Sequence, residues 1–237
     1  MQEVIKLKTE FYESWVSPDG LALLNVGDQE NSNGILFYAY FLALCREFDL
    51  VNSLDQKHCN HLLEILQEDK GLLNRRKNDH TLEAHDNYVG AAYCALISGN
   101  QDYLENVVRR GVEHGWNYNN VPPYEWRKES QRQGGEIAFY QICAGHTPDV
   151  FYFIWMCIGM VIASFQWSSV VNLAWLRCKC LKLALKKTQP AWVTMGVAFT
   201  DLVFTLLVDS RGGFKKFFKD YYRDTVYGRL SEVVYGN

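Results

Sequence analysis

The chain has 237 residues and a formal net charge of −3, and 48% of it is hydrophobic and 14% aromatic. That length and apolar content suffice for one sizeable domain with a core, and they exclude a disordered or low-complexity chain. Seven cysteines, odd in number and without a Cys-x-x-Cys pair, argue against a disulfide framework or a zinc knuckle and predict free thiols in apolar surroundings.

The opening residues, MQEVIKLKTEFYESW, mix acidic and apolar side chains and lack the apolar core of a secretory signal, so cytoplasmic synthesis is expected. Residues 33–48 (NGILFYAYFLALCREF) are apolar on every side for three turns, which predicts a helix surrounded by other elements. Residues 55–69 carry Leu62, Leu63, Ile65 and Leu66 on one side and charge on the other, the pattern of a surface helix. Within that stretch His58 and His61 share a face with Cys59 nearby, but nothing completes a zinc set, and an ordinary helical surface is the expectation.

The alternation then repeats. Residues 86–98 (DNYVGAAYCALIS) form a second all-round apolar helix, and residues 101–114 return to an amphipathic pattern through Leu104, Val107, Val108 and Val112. Residues 135–144 (GEIAFYQICA) are a third inward candidate. Buried and exposed helices in turn predict an all-α fold of layered helical hairpins in one domain.

Successive inner helices, each followed by an antiparallel outer partner, run the same way, so their N-termini open on one face. The segments entering them are ENSN (30–33), EAHDN (83–87) and the long stretch 115–134, all polar. Ser32, Asn33, Asp86 and Asn87, taken singly, read as helix caps. Together the segments predict a pocket mouth. Glu30 and Asp86 supply a carboxylate pair with His85 beside them, the minimum for acid–base hydrolysis. The third segment sets Trp116, Tyr118, Tyr124 and Trp126 beside Asn117, Asn119, Asn120, Arg127 and Arg132. Flat rings among amides and guanidinium groups suit a glycan-like or other polar ligand, with Asn33 at the edge; the same rings also suit a loop that adheres to its own domain. No zinc ligand set, phosphate loop, Gly-x-Ser-x-Gly elbow or His-Glu-x-x-His stands in the chain, the sequence leaves any cofactor open, and there is no specific nucleic-acid signal.

The second half differs in charge. Residues 1–149 hold 13 Lys or Arg against 22 Asp or Glu, and residues 150–237 hold 11 against 5. Such a basic half suits a membrane surface, an acidic partner or the acidic first half itself. Residues 150–165 (VFYFIWMCIGMVIASF) and 191–208 (AWVTMGVAFTDLVFTLLV) are long apolar stretches, and between them RCKCLKLALKK reads as a basic connection of the kind a membrane hairpin keeps on one side. The mean hydropathy of −0.19 and the earlier apolar helices assign both stretches to the core, with membrane association as the competing reading. Residues 212–223 place Phe214, Phe217, Phe218, Tyr221 and Tyr222 on one helical face and lysines on the other.

The stretches EAHDNYVGAAY, EHGWNYNN and GGEIAFYQICAG resemble segments of a loosely defined family of uncharacterised tailed-bacteriophage proteins. The matching positions are Asn33 and Gly34, His85 and Asp86, and Gly115, Trp116 and Tyr118, across about residues 30–160. The resemblance implies a phage origin, with the protein in the infected cell or the virion, and no established activity. The hairpin layering also resembles a reduced, incomplete (α/α) toroid of carbohydrate-active enzymes, an analogy of fold alone. Two functions follow as expectations: a polar-ligand pocket with hydrolytic Glu30, Asp86 and His85, or a non-enzymatic virion or membrane-associated protein using the basic half.

Overall fold

The computed structural model describes residues 1–24, 33–67, 73, 85–113, 134–185, 189–222 and 224–236. These residues form eleven helices: α1 (Gln2–Ser14), α2 (Gly34–Arg46), α3 (Ser53–Leu66), α4 (His85–Ser98), α5 (Gln101–Glu113), α6 (Gly134–Cys143), α7 (Val150–Ala163), α8 (Ser168–Ala184), α9 (Ala191–Ser210), α10 (Gly213–Tyr222) and α11 (Val226–Tyr235). Extended pairing among the described residues is limited to two isolated bridges, Val16 with Ala22 and Gln67 with Leu73. The chain is all-α, with each predicted helix within a turn of an observed one.

The centre is α2. Every residue from Gly34 to Cys45 is buried, because a helix with no polar face has to be covered on all sides. Phe11 of α1 stacks on Phe41 with ring centroids 3.7 Å apart, Tyr40 meets Trp175 of α8 and Phe218 of α10, and Phe37 meets Tyr227 of α11. On the remaining side α4 approaches so closely that a Cβ on Gly90 would lie 2.7 Å from the Leu36 Cα.

Three inner helices end in the same way. After α2 the Leu50 N–H reaches the Cys45 carbonyl and the Asp49 N–H the Arg46 carbonyl, with Asp49 at φ +56°. After α6 the His146 N–H reaches the Gln141 carbonyl and the Gly145 N–H the Ile142 carbonyl, with Gly145 at φ +84°. After α4 the Asn100 N–H reaches the Ala95 carbonyl around Gly99 at φ +73°. This left-handed stop satisfies the last carbonyls and turns the chain straight into the next helix. The outer helices then begin on side-chain caps: Asn52 forms a capping box with Asp55 at α3, and Asp149 accepts from the Phe151 and Tyr152 N–H groups at α7.

Consecutive helices pack as hairpins at α4–α5, α6–α7 and α8–α9, whereas α3 lies mainly against α4 and not back along α2. The contacts establish hairpins and do not establish a toroid. In α3 and α5 the inward stripe is apolar apart from Asp55 and the outward face polar, as expected, although Leu54 and Val112 stand out in solvent. Stretch 177–187 is corrected: through Ala184 it is the second half of α8 and no connection. Its basic side chains act as ties. Arg177 pairs with Glu136 at 2.7 Å, Lys179 with Glu47 at 2.5 Å and Lys182 with Asp201 at 2.8 Å. With Arg229 on Glu10, three of these pairs join the basic half to the acidic half. Helices α1 and α11 were not anticipated; α1 packs through the stripe Val4, Leu7 and Phe11, while α11 anchors through the Tyr227 hydroxyl, 2.7 Å from the Leu23 carbonyl.

Because the atom facing Gly90 is backbone, Gly90→Ala is expected to cost about 1–3 kcal/mol of stability in urea unfolding, against its gain in helix propensity. An unchanged midpoint would show that α2 and α4 have slack at this crossing.

Candidate functional site

Asn33 and Asp86 line one cleft together with Tyr40, Ser169 and Tyr222. Since Gly90 lies on Leu36 one turn further along, α2 and α4 run in the same direction and open at the same end. Asn33 and Asp86 are thus brought together, while 30–32, 83–84 and 115–133 of the predicted entrances lie outside the described residues. Asn33 is the N-cap of α2 by position, its carbonyl accepting from the Phe37 N–H, but it makes no side-chain capping bond, and Asp86 and Asn87 lie inside the first turn of α4. Glu30, Trp116, Tyr118, Asn119, Tyr124, Trp126, Arg127 and Arg132 lie outside the described residues, as does the side chain of His85. The cleft holds about 190 Å³, whereas small-molecule sites run to ~300–1,000 Å³.

A second polar constellation joins α1 to α3. Asp55 is buried, with side-chain exposure of 1%. One carboxylate oxygen accepts from Lys8 Nζ at 2.6 Å and from the Asn52 N–H at 2.7 Å. The other accepts from the Tyr12 hydroxyl at 2.5 Å. Tyr12 has spent its proton there, so Tyr38 donates to the Tyr12 oxygen at 2.9 Å. Burial, then the bond to Asp55, pushes the Tyr12 phenol far up. Beside it His58 sits 2.8 Å from the Gly20 carbonyl with its ring against Tyr38, and burial holds it below the ordinary histidine value. The carboxylate is fully engaged by its own neighbours, which makes this a latch. Contrary to expectation, His58 is no ordinary surface histidine. No group of His, Cys, Asp and Glu among the described residues is arranged for a metal.

The third feature is apolar. Helix α7 buries Phe153, Met156, Met160 and Ala163, and α9 buries Val193, Val197, Thr200, Phe204 and Val208. Flanked by half-buried residues such as Cys157 and Val203, the rest of these helices faces outward, including Trp155 at 63%, Met195 at 71% and Phe199 at 68% exposure. The two lie side by side and parallel. Phe153 meets Trp192 edge-on near their starts, and the Arg211 guanidinium at the end of α9 donates to the carbonyls of Ser164 and Gln166 just past α7. Asp201 is turned to Lys182, so the outward surface of both helices is uncharged until Asp209. The assignment of residues 150–165 and 191–208 to the core is corrected: each contributes one buried stripe only.

No protein-family model matches the chain, and no curated protein or solved structure does. The resemblance to tailed-phage proteins rests on its three segments alone. The outward apolar face was missed because hydropathy is the same for a covered helix and an uncovered one. A signal existed in the alternation: the partner following an inner helix is polar outside at α3 and α5, and the same place at α7 has no charge at all.

Removing the buried partner of Lys8 and Tyr12 in Asp55→Ala is expected to cost about 3 kcal/mol in denaturant unfolding. For His58 the folded pKa lies below the unfolded value of about 6.5. The unfolded chain therefore binds this proton first as pH falls, and stability drops from about pH 6.5 downward until the folded pKa is passed. His58→Gln is expected to flatten that part of the stability profile relative to wild type. Parallel profiles would remove the assignment.

Proposed function

We propose that this protein docks on a lipid bilayer, embedding the outward face of α7 and α9 in one leaflet. The observation that supports it is the internal contrast among outer helices: α3 and α5 show water a polar surface, and α7 and α9 show an apolar one in the same layer. The face is long as well as wide, since 14 and 20 residues at 1.5 Å rise give about 21 and 30 Å. A contiguous apolar surface of that extent marks an interaction site.

Lipid suits the face better than a protein partner. Interfaces between proteins carry arginine and a polar rim within the patch, while Val150–Ala163 contains no polar side chain other than Tyr152 and Cys157. Trp192 near the start of α9 and Phe165 and Trp167 past the end of α7 are exposed, at positions that suit the headgroup boundary. Soon after α9 come Lys215 and Lys216, cations that favour an anionic leaflet. Docking in the plane fits better than spanning, because one stripe of each helix stays fastened to the body and the outer helices α3 and α5 are polar. No reaction is proposed.

Flotation with vesicles of phosphatidylcholine and phosphatidylglycerol tests this reading. Wild type is expected to float, Phe199→Glu and Trp155→Glu to stay below while keeping their helical circular dichroism, and Lys215→Gln/Lys216→Gln to bind anionic vesicles several-fold more weakly. Wild type that stays below and sediments as a defined oligomer would reject lipid and make the face a subunit contact of a virion-type assembly.

A further inference from the structure

A groove of about 840 Å³ runs between α7 and α8, closed at one end by the start of α6. This volume lies within the ~300–1,000 Å³ of small-molecule sites. Its walls are Phe139, Met156, Met160, Leu173 and Ala174. Gly159 stands in the middle, and a Cβ placed there would meet nothing within 4 Å, so the groove is open partly because this position of α7 has no side chain. From Tyr152 to Ala163 it follows α7 for 12 residues, about 17 Å at helical rise, and it continues to Gln166 just past the helix. One leaflet of hydrocarbon is about 15 Å deep, half of the ~30 Å core.

Charge enters the lining through one pair. Arg177 and Glu136 meet at 2.7 Å with side-chain exposures of 24% and 14%, and the guanidinium lies 5.9 Å from the Phe139 ring centre. The pairing uses one Nη2 bond. The buried Nε has no partner among the described residues, so the five-donor fork is far from saturated. A long apolar trough with an under-bonded guanidinium toward one end matches a chain with one anionic, two-oxygen head.

We propose that this groove binds a single long-chain fatty acid, its chain along Gly159 and its carboxylate on Arg177 in competition with Glu136. The inference rests on the bilayer reading for the source of the ligand, since α7 forms both the groove wall and the lipid-facing surface, and it stands apart from that reading in its test.

The test is displacement of a fluorescent fatty acid from the full chain by oleate and by methyl oleate, without vesicles. Wild type is expected to bind oleate at least about tenfold tighter than methyl oleate, the difference a charge-assisted pair makes. Glu136→Gln, which releases Arg177, is expected to bind oleate more tightly, and Gly159→Phe, which fills the trough, to lose at least about tenfold. Equal affinity for acid and ester, or undiminished oleate binding by Gly159→Phe, would overturn the proposal. Phe199→Glu lies outside the groove and keeps oleate binding. Wild type that binds oleate yet fails to float rejects the bilayer reading alone, and wild type that floats without binding oleate rejects the groove alone.

Discussion

A helix without a polar side can exist in water only as an interior object, and α2 imposes that condition on the rest of the chain. Its rings and aliphatic groups need a neighbour in every direction, and α1, α4, α8, α10 and α11 supply one each through Phe11, Gly90, Trp175, Phe218 and Tyr227. Those five come from the beginning, middle and end of the chain. The acidic and basic halves consequently fold around one axis and cannot separate into independent domains without uncovering it. The ion pairs Arg177–Glu136, Lys179–Glu47 and Arg229–Glu10 follow from that arrangement, joining groups that packing has already brought close.

Much of this was legible in the residues. The all-round apolar stretches at 33–48, 86–98 and 135–144 are α2, α4 and α6, and the amphipathic stretches between them are α3 and α5, because burial on all sides and burial on one side leave different periodicities. The approach of Asn33 to Asp86 was legible too, since parallel inner helices follow from short antiparallel returns. Coverage was not. An apolar run records that water is disfavoured and is silent on what replaces it, so 150–163 and 191–210 read as core when only a stripe of each is covered. The network around Asp55 was equally hidden, because Lys8, Tyr12, Tyr38 and Asp55 come from three helices and nothing in their spacing reveals that they meet.

The molecule thus has two unlike sides. Around α3 and α5 the outer layer meets water in the ordinary way, through polar side chains. Around α7 and α9 the same layer is built from the same hairpins with the polarity removed. Arg211, clasping the carbonyl ends beyond α7 from the end of α9, ties the two helices of that side together.

All seven cysteines are free, and six of them are buried while Cys157 on α7 is partly exposed. Burial pushes the Cys45 thiol up to about 12 and those of Cys94, Cys178 and Cys180 well above the usual range, so in the folded chain they are protonated and out of reach. A maleimide added to the native protein would therefore tag one sulfur that watches the apolar plate, while the silent six would take label only as fast as the interior opens. The chain carries its own clock for unfolding and its own gauge of what covers α7.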